Sequence, residues 1–173
     1  VAVIVVEGAG DHFCGGADIA EFAETYATAE GTARANAAIA AAVEAVAGVT
    51  KPTVAVLRGA CVGGGVALAL ACDLRLARAD ARFAVTPAKL GLLYSFSDTA
   101  RLMRAVGAGR AKEMLFSARV VEAEEALRIG LVQRVMSDEE AGAHVCALSE
   151  ASRPALRGIK RMVASVESGV MCE

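Results

Sequence analysis

Two glycine-rich segments carry the residues best suited to chemistry in this 173-residue chain. The first is Phe13-Cys14-Gly15-Gly16-Ala17-Asp18-Ile19, and the second is Gly59-Ala60-Cys61-Val62-Gly63-Gly64-Gly65. Each follows an apolar run that reads as a strand, and each leads toward helical sequence. A glycine-rich turn at a helix start leaves backbone N–H groups without intrahelical partners, and the helix dipole adds positive potential there. Two such turns facing each other, each lending one N–H, would form an oxyanion hole. Taken singly, the same glycines also serve tight turns and close helix–strand packing.

Other chemistries fit these residues less well. The second segment lacks the Lys-Ser/Thr pair of a phosphate-binding P-loop. It does not read G-x-G-x-x-G either, because Leu68 stands where the third glycine belongs. Cys14, Cys61, Cys72, Cys146 and Cys172 are odd in number and include no CxxC pair, which argues against a disulfide framework and a zinc site. Free thiols in a reducing cytoplasm are the expectation. His12 and His144 are too few for a His-rich metal centre. His12 borders the first glycine segment and is either a group titrating near neutrality or a turn histidine. Cys14 and Cys61 meet a need for small residues and have no evident activating partner. Lys89 and Arg101 are candidates for phosphate contacts or for exposed salt bridges.

The elements that must hold these turns follow from patterning. Residues 1–6, VAVIVV, read as a strand buried on both faces. The alanine-rich segment 28–48 reads as a helix whose Ile39, Val43, Val46 and Val49 form one buried stripe. Thr53–Leu57 reads as a strand, Arg58–Gly65 as a loop and Val66–Cys72 as a short helix; Leu74–Ala77 and Ala81–Val85 read as strands. This alternation predicts an α/β domain with parallel strands and right-handed crossovers. Helices follow over 99–106, 110–116 and 123–128, with Asp98 as N-cap and Gly107 as terminator of the first. Leu131–Val135 reads as a last strand, and residues after Ser137 as helices with a turn at Arg153-Pro154. Residues 1–136 are therefore expected to form the core and 137–173 a C-terminal helical segment.

Composition narrows the function classes. Apolar residues make up 55% and charged residues 22%, which excludes a disordered or solvating segment. A net charge of −2 implies no broad electropositive surface, so no nucleic-acid partner is expected. The apolar excess is largely alanine and valine, without an uninterrupted span of about 18 apolar residues, so no membrane partner is expected. The opening run lacks the basic start and cleavage site of a signal peptide, and a cytoplasmic location is the expectation.

Residues 51–91, KPTVAVLRGACVGGGVALALACDLRLARADARFAVTPAKLG, resemble the enoyl-CoA hydratase/isomerase family, also called the crotonase family. FCGGADIAEF, residues 13–22, resembles that family's first oxyanion-hole segment, and residues 104–135 resemble its later helical stretch. The resemblance implies a spiral of β-β-α turns and a helical tail used in assembly as a homotrimer or a dimer of trimers. It implies an acyl-CoA thioester as substrate, with coenzyme A entering as part of that substrate and no separate cofactor. It places the thioester carbonyl between the N–H groups of Ala17 and Gly64, in turns shaped by Gly16, Gly63 and Gly65. Asp18 and Ile19 would line the entry, and Pro87 and Leu90 would contact substrate.

The chain also departs from the pattern. Family hydratases position and activate water with two glutamates, and here those positions hold Ala67 and Pro87. General acid–base catalysis contributes about 10²–10⁴-fold, so decarboxylation or double-bond isomerisation is expected ahead of hydration. TPAKLGLLYSF, residues 86–96, resembles the matching stretch of the family's decarboxylases, which carry a tyrosine where this chain has Tyr94. Tyr94 then reads as a proton donor or carboxylate orienter, or as a packed loop tyrosine. Those decarboxylases carry a histidine in place of Ala17. Ser95 stands where related dehalogenases and dienoyl-CoA isomerases have an aspartate, and no nearby histidine activates it. Asp98 either faces the acyl pocket or caps a helix. The alternative of another class is a catalytically silent CoA-thioester binder or structural subunit.

Overall fold

The apolar run TVAVL, with every residue buried, forms the central strand around which the chain is organised. A computed structural model describes residues 2–169, apart from the side chains of Ile19, Phe22 and Ala23; Cys172 lies outside the described residues. In chain order, β1 (Ile4–Glu7) leads through a 3₁₀ turn at Ile19–Glu21 and the short α1 (Phe22–Thr25) to α2 (Ala29–Ala47). Then come β2 (Thr53–Leu57), β3 (Ala60–Val62), α3 (Gly64–Ala71), β4 (Leu74–Ala77) and β5 (Arg82–Ala84). A 3₁₀ turn at Pro87–Leu90 precedes α4 (Phe96–Ser117), β6 (Val121–Glu122) and α5 (Ala123–Ile129). β7 (Arg134–Val135), α6 (Asp138–Glu150) and α7 (Arg153–Glu167) follow.

The strands make two sheets. One is parallel throughout, in the order β1-β2-β4-β7, and the other has the order β3-β5-β6 with β5 and β6 antiparallel. Alternation along β2 sends its side chains to opposite faces. Ala55 and Leu57 join Val66 and Leu70 of α3, Phe83 of β5 and Leu102 and Met114 of α4 in the main core. Val54 and Val56 join Leu76 of β4 and Ala141 of α6 in a second cluster. Gly59, with φ 51°, bends the chain between β2 in one sheet and β3 in the other.

Several expectations need correction. β1 is not buried on both faces: it is an edge strand with alternate residues open, and Val5 is 40% exposed. The segment expected as a loop over 58–65 contains β3, and α3 begins at Gly64 rather than Val66. α2 has the expected extent, with Thr28 and Gly48 as caps, but only Val43 of its stripe is fully buried, and Ile39 is 41% exposed. Asp98 is not the N-cap of α4. Ser95 is, its Oγ accepting from the Asp98 N–H at 3.1 Å. The two helices expected over 99–116 form one run, interrupted by the non-helical Gly107 at φ 79°. Only Arg134 and Val135 of the expected last strand pair with β4; Leu131 and Val132 are buried outside it. Pro154 lies in the first turn of α7, after the break at Ala151 and Ser152, where its missing N–H costs no hydrogen bond.

α6 starts with a reciprocal cap: Ser137 Oγ accepts from Glu140 N, and Glu140 accepts from Ser137 N. α7 is tied to the sheet by Lys160, whose Nζ donates to Asp73 at 2.7 Å and to the Lys51 carbonyl at 3.0 Å. Among the described residues, no helix is long and apolar enough to cross a membrane.

Candidate active site

The first glycine segment is laid along the second by backbone pairing. Phe13 N donates to Arg58 O at 2.9 Å, Cys14 N to Ala60 O at 3.1 Å, and Val62 N to Cys14 O at 2.9 Å. Cys14 and Cys61 thus pair as a parallel bridge. Beyond it the two turns meet. A Cβ placed on Gly16 would lie 3.0 Å from Val62 O and 3.6 Å from Gly64 N, and one placed on Gly64 would lie 3.9 Å from Gly16 Cα. Gly16 also has φ 95°, so both its conformation and its surroundings favour glycine. A Cβ on Gly65 would run into the Cys14 carbonyl oxygen.

Gly63, with φ 54° and ψ −111°, caps α3. Its N–H donates to Ala84 O of β5 at 2.8 Å, and its carbonyl accepts from Val66 N at 3.1 Å and Ala67 N at 3.3 Å. Gly64 is the first residue of α3, and both Gly64 and Ala17 are exposed. Neither the Ala17 nor the Gly64 N–H has a hydrogen-bond acceptor among the described residues. Two open amides on adjoining turns, one at a helix start, suit an oxygen that carries or gains negative charge.

Tyr94 packs against the cluster formed by Val43, Ala67 and Ala71, and its hydroxyl donates to Gly63 O at 3.3 Å. Burial raises its ionisation well above the usual phenol range; the charges of Asp98 and Cys61 add to the effect and Arg101 offsets part of it. The hydroxyl therefore stays protonated. Asp98 is buried, with one carboxylate oxygen 2.6 Å from Ser95 Oγ and the other 3.2 Å from Arg101 Nη1. Arg101 reaches on to Glu44 at 2.7 Å, so this network joins α4 to α2. Ser95 is occupied as the cap. The pattern Ser-x-x-Asp is a capping-box signature that could have placed the cap at Ser95 from sequence.

The remaining candidates are scattered around this centre. Asp18 is exposed and its Oδ1 accepts from Ala20 N at 2.9 Å, bracing the turn that Ile19 opens. Pro87 is half-buried and Leu90 exposed, at the two ends of one 3₁₀ turn, with Lys89 exposed between them. His12 holds the second segment, its Nδ1 accepting from Ala60 N at 3.2 Å. Burial, reinforced by neighbouring Cys14, pushes the Cys61 thiol far up, so it is no activated nucleophile. Among the described residues, Cys14, Cys61, Cys72 and Cys146 are free thiols, and no group of three or more acidic, His or Cys side chains is placed to hold a metal. Sequence reasoning missed the exposed Leu93 and Phe96 that flank Tyr94, at 97% and 91% exposure.

Residues 1–167 match the enoyl-CoA hydratase/isomerase family profile. A methylglutaconyl-CoA hydratase of Rattus norvegicus is 38% identical over 130 residues, 75% of this chain and 41% of that protein. A crotonyl-CoA hydratase of Syntrophomonas wolfei is 40% identical over 142 residues, 81% of this chain and 54% of that protein. The chain thus spans about half the length of these curated relatives. A crystal structure of a candidate enoyl-CoA hydratase/isomerase family protein from Hyphomonas neptunium superposes with TM-score 0.95 at 40% identity, covering 99% of this chain and 68% of that one. An enoyl-CoA hydratase structure from Bacillus anthracis gives 0.90 at 32% identity, covering 96% and 66%. The crotonase-like spiral expected from sequence is the fold observed.

Proposed function

The chain belongs to the enoyl-CoA hydratase/isomerase family, and from that premise we propose that it acts on an acyl-CoA thioester through an enolate held by the N–H groups of Ala17 and Gly64. The observation that carries this reading is the meeting of the two glycine turns with both amides open. When a bond at the α-carbon breaks or forms, charge moves onto the thioester oxygen. Each backbone donor there is typically worth roughly 3–4 kcal/mol of transition-state energy. A backbone amide does not titrate, so the hole works unchanged across neutral pH. Gly16, Gly63 and Gly65 let the turns approach, and Asp18, Ile19, Pro87 and Leu90 border the path of the substrate. Coenzyme A arrives as part of the substrate, and no further cofactor is proposed. Assembly is proposed as a homotrimer or a dimer of trimers.

Within the family, decarboxylase- or isomerase-type chemistry fits these residues better than hydration. Ala67 is fully buried in the cluster against which Tyr94 packs, and neither its methyl group nor Pro87 has a proton to give. Tyr94 meets the second turn through its hydroxyl bond to Gly63 O, and Asp98, held by Ser95 and Arg101, helps to keep it protonated. The relatives' names favour the competing outcome, hydration. Turnover of crotonyl-CoA, methylmalonyl-CoA and a 3-enoyl-CoA separates the cases. Turnover of either of the last two, with crotonyl-CoA slow, is expected. Fast crotonyl-CoA hydration overturns the preference among chemistries. Binding of all three without turnover leaves a silent thioester binder for these substrates.

A further inference from the structure

The Gly63 carbonyl and the Gly64 N–H belong to one planar peptide unit, so whatever holds that oxygen also aims that N–H. Three donors converge on the oxygen: Val66 N, Ala67 N and the Tyr94 hydroxyl. The two amides are the ordinary first turn of α3. The hydroxyl comes from 31 residues further along the chain and has no part in forming the helix. The peptide needs such a restraint. Gly63 sits at φ 54° and ψ −111°, which only glycine adopts readily, and a glycine pair has little side-chain bulk to stop rotation. The Gly63 N–H is pinned to β5 through Ala84 O, and Tyr94, in the loop before α4, pins the following peptide. Tyr94 packs against the cluster of Val43, Ala67 and Ala71 and against the main core, with its hydroxyl directed to Gly63 O.

We propose that Tyr94 is a positioning residue: its hydroxyl orients and polarises the Gly63–Gly64 peptide, sharpening the Gly64 N–H as a donor, and does not itself touch the substrate. This rests on the reading of Gly64 as an oxyanion donor. A hydrogen bond accepted by a carbonyl strengthens the N–H of the same amide by about 10–30%.

The test reads the peptide itself before any substrate is added. In Tyr94→Phe, the Gly64 amide proton is expected to move upfield, by more than amides deeper in α3 such as Leu70. Site-specific 3-fluorotyrosine at position 94 keeps the ring, strengthens the donor and is expected to move the same resonance downfield; it decides the matter alone if the phenylalanine variant fails to fold. With a bound, unreactive acyl-CoA, the thioester carbonyl stretch in Tyr94→Phe should return part-way toward its free value. On a turned-over thioester, kcat should fall about tenfold, the upper end for one hydrogen bond, with KM within about twofold. Gly64 resonances unchanged in both variants overturn the proposal. Resonances that move as expected in a protein that binds no acyl-CoA keep the Tyr94 coupling and overturn the thioester reading instead.

Discussion

A proline at position 64 would delete one N–H and little else. Gly64 is the first residue of α3, where a helix tolerates proline because that N–H has no intrahelical partner. Gly64→Pro should therefore keep its circular dichroism spectrum while thioester turnover falls by about 10²–10³-fold. A folded variant with normal turnover would remove Gly64 from the mechanism. At this scale, the sequence exposed what depends on residue type alone. Gly16, Gly63 and Gly65 announce themselves because positive φ or close backbone approach excludes side chains there. Tyr94 did not disclose its partner, because a backbone oxygen 31 residues away leaves no mark in composition or spacing. Asp98 was ambiguous for the same reason: a carboxylate near a helix start looks alike whether it faces a pocket or, as here, Ser95 and Arg101.

Between elements, Asp73 is the main polar tie. Its Oδ2 accepts from Thr53 N at 2.7 Å, from Thr53 Oγ1 at 3.0 Å and from Lys160 Nζ at 2.7 Å, joining β2, the turn before β4, and α7. Thr53 is fully buried, so Asp73→Ala strands its N–H away from water and leaves its hydroxyl proton without an acceptor, although the hydroxyl oxygen still accepts from the residue-73 N–H. Urea unfolding should show a loss of about 2–3 kcal/mol. Lys160→Met keeps those bonds and removes an ion pair together with the hydrogen bond to the Lys51 carbonyl, and should cost less, about 1 kcal/mol. Equal losses would mean the pair, and not the buried threonine, sets the tie. α6 gives a pH-dependent case. The Ser137 backbone and side chain hold the Glu140 carboxyl below its usual range. A depressed value means the cap stabilises above the ordinary carboxylate pKa and fades as pH falls through the lowered one. The melting-temperature gap between the parent chain and Glu140→Gln should therefore be present at pH 7 and shrink below about pH 4; a constant gap would rule out the ionised cap. Elements set by local pattern were legible: β2 by its run of Thr53 and four apolar residues, α2 by its alanine-rich sequence. β3 was hidden because glycines flank it and its pairing with β5 is non-local. The kink at Gly107 was read as a helix end because glycine signals both.

For the molecule as a whole, the telling feature is where large apolar side chains stand open. Eight of the fourteen exposed large apolar residues gather in two separate regions, while Val5, Ile39, Met103, Phe116, Val120 and Leu127 lie apart from them. One is α7, with Ile159, Met162, Val163 and Val166; the other is the stretch from Leu90 to Phe96, with Leu93 and Phe96 almost fully open. Two unlike patches suit a head-to-tail ring, in which each copy uses one patch on each neighbour, better than a two-fold dimer that mates a patch with itself. The proposed trimer then makes a specific prediction. Sedimentation should show a species of three chains, and either Val166→Glu with Ile159→Glu, or Leu93→Glu with Phe96→Glu, should break it. Neither double variant can close a ring alone. Mixed in equal amounts, each still offers the patch the other lacks, so the mixture should form a two-chain complex and stop there. If only one patch matters, or the mixture stays monomeric, the two regions do not meet each other and the ring is the wrong assembly.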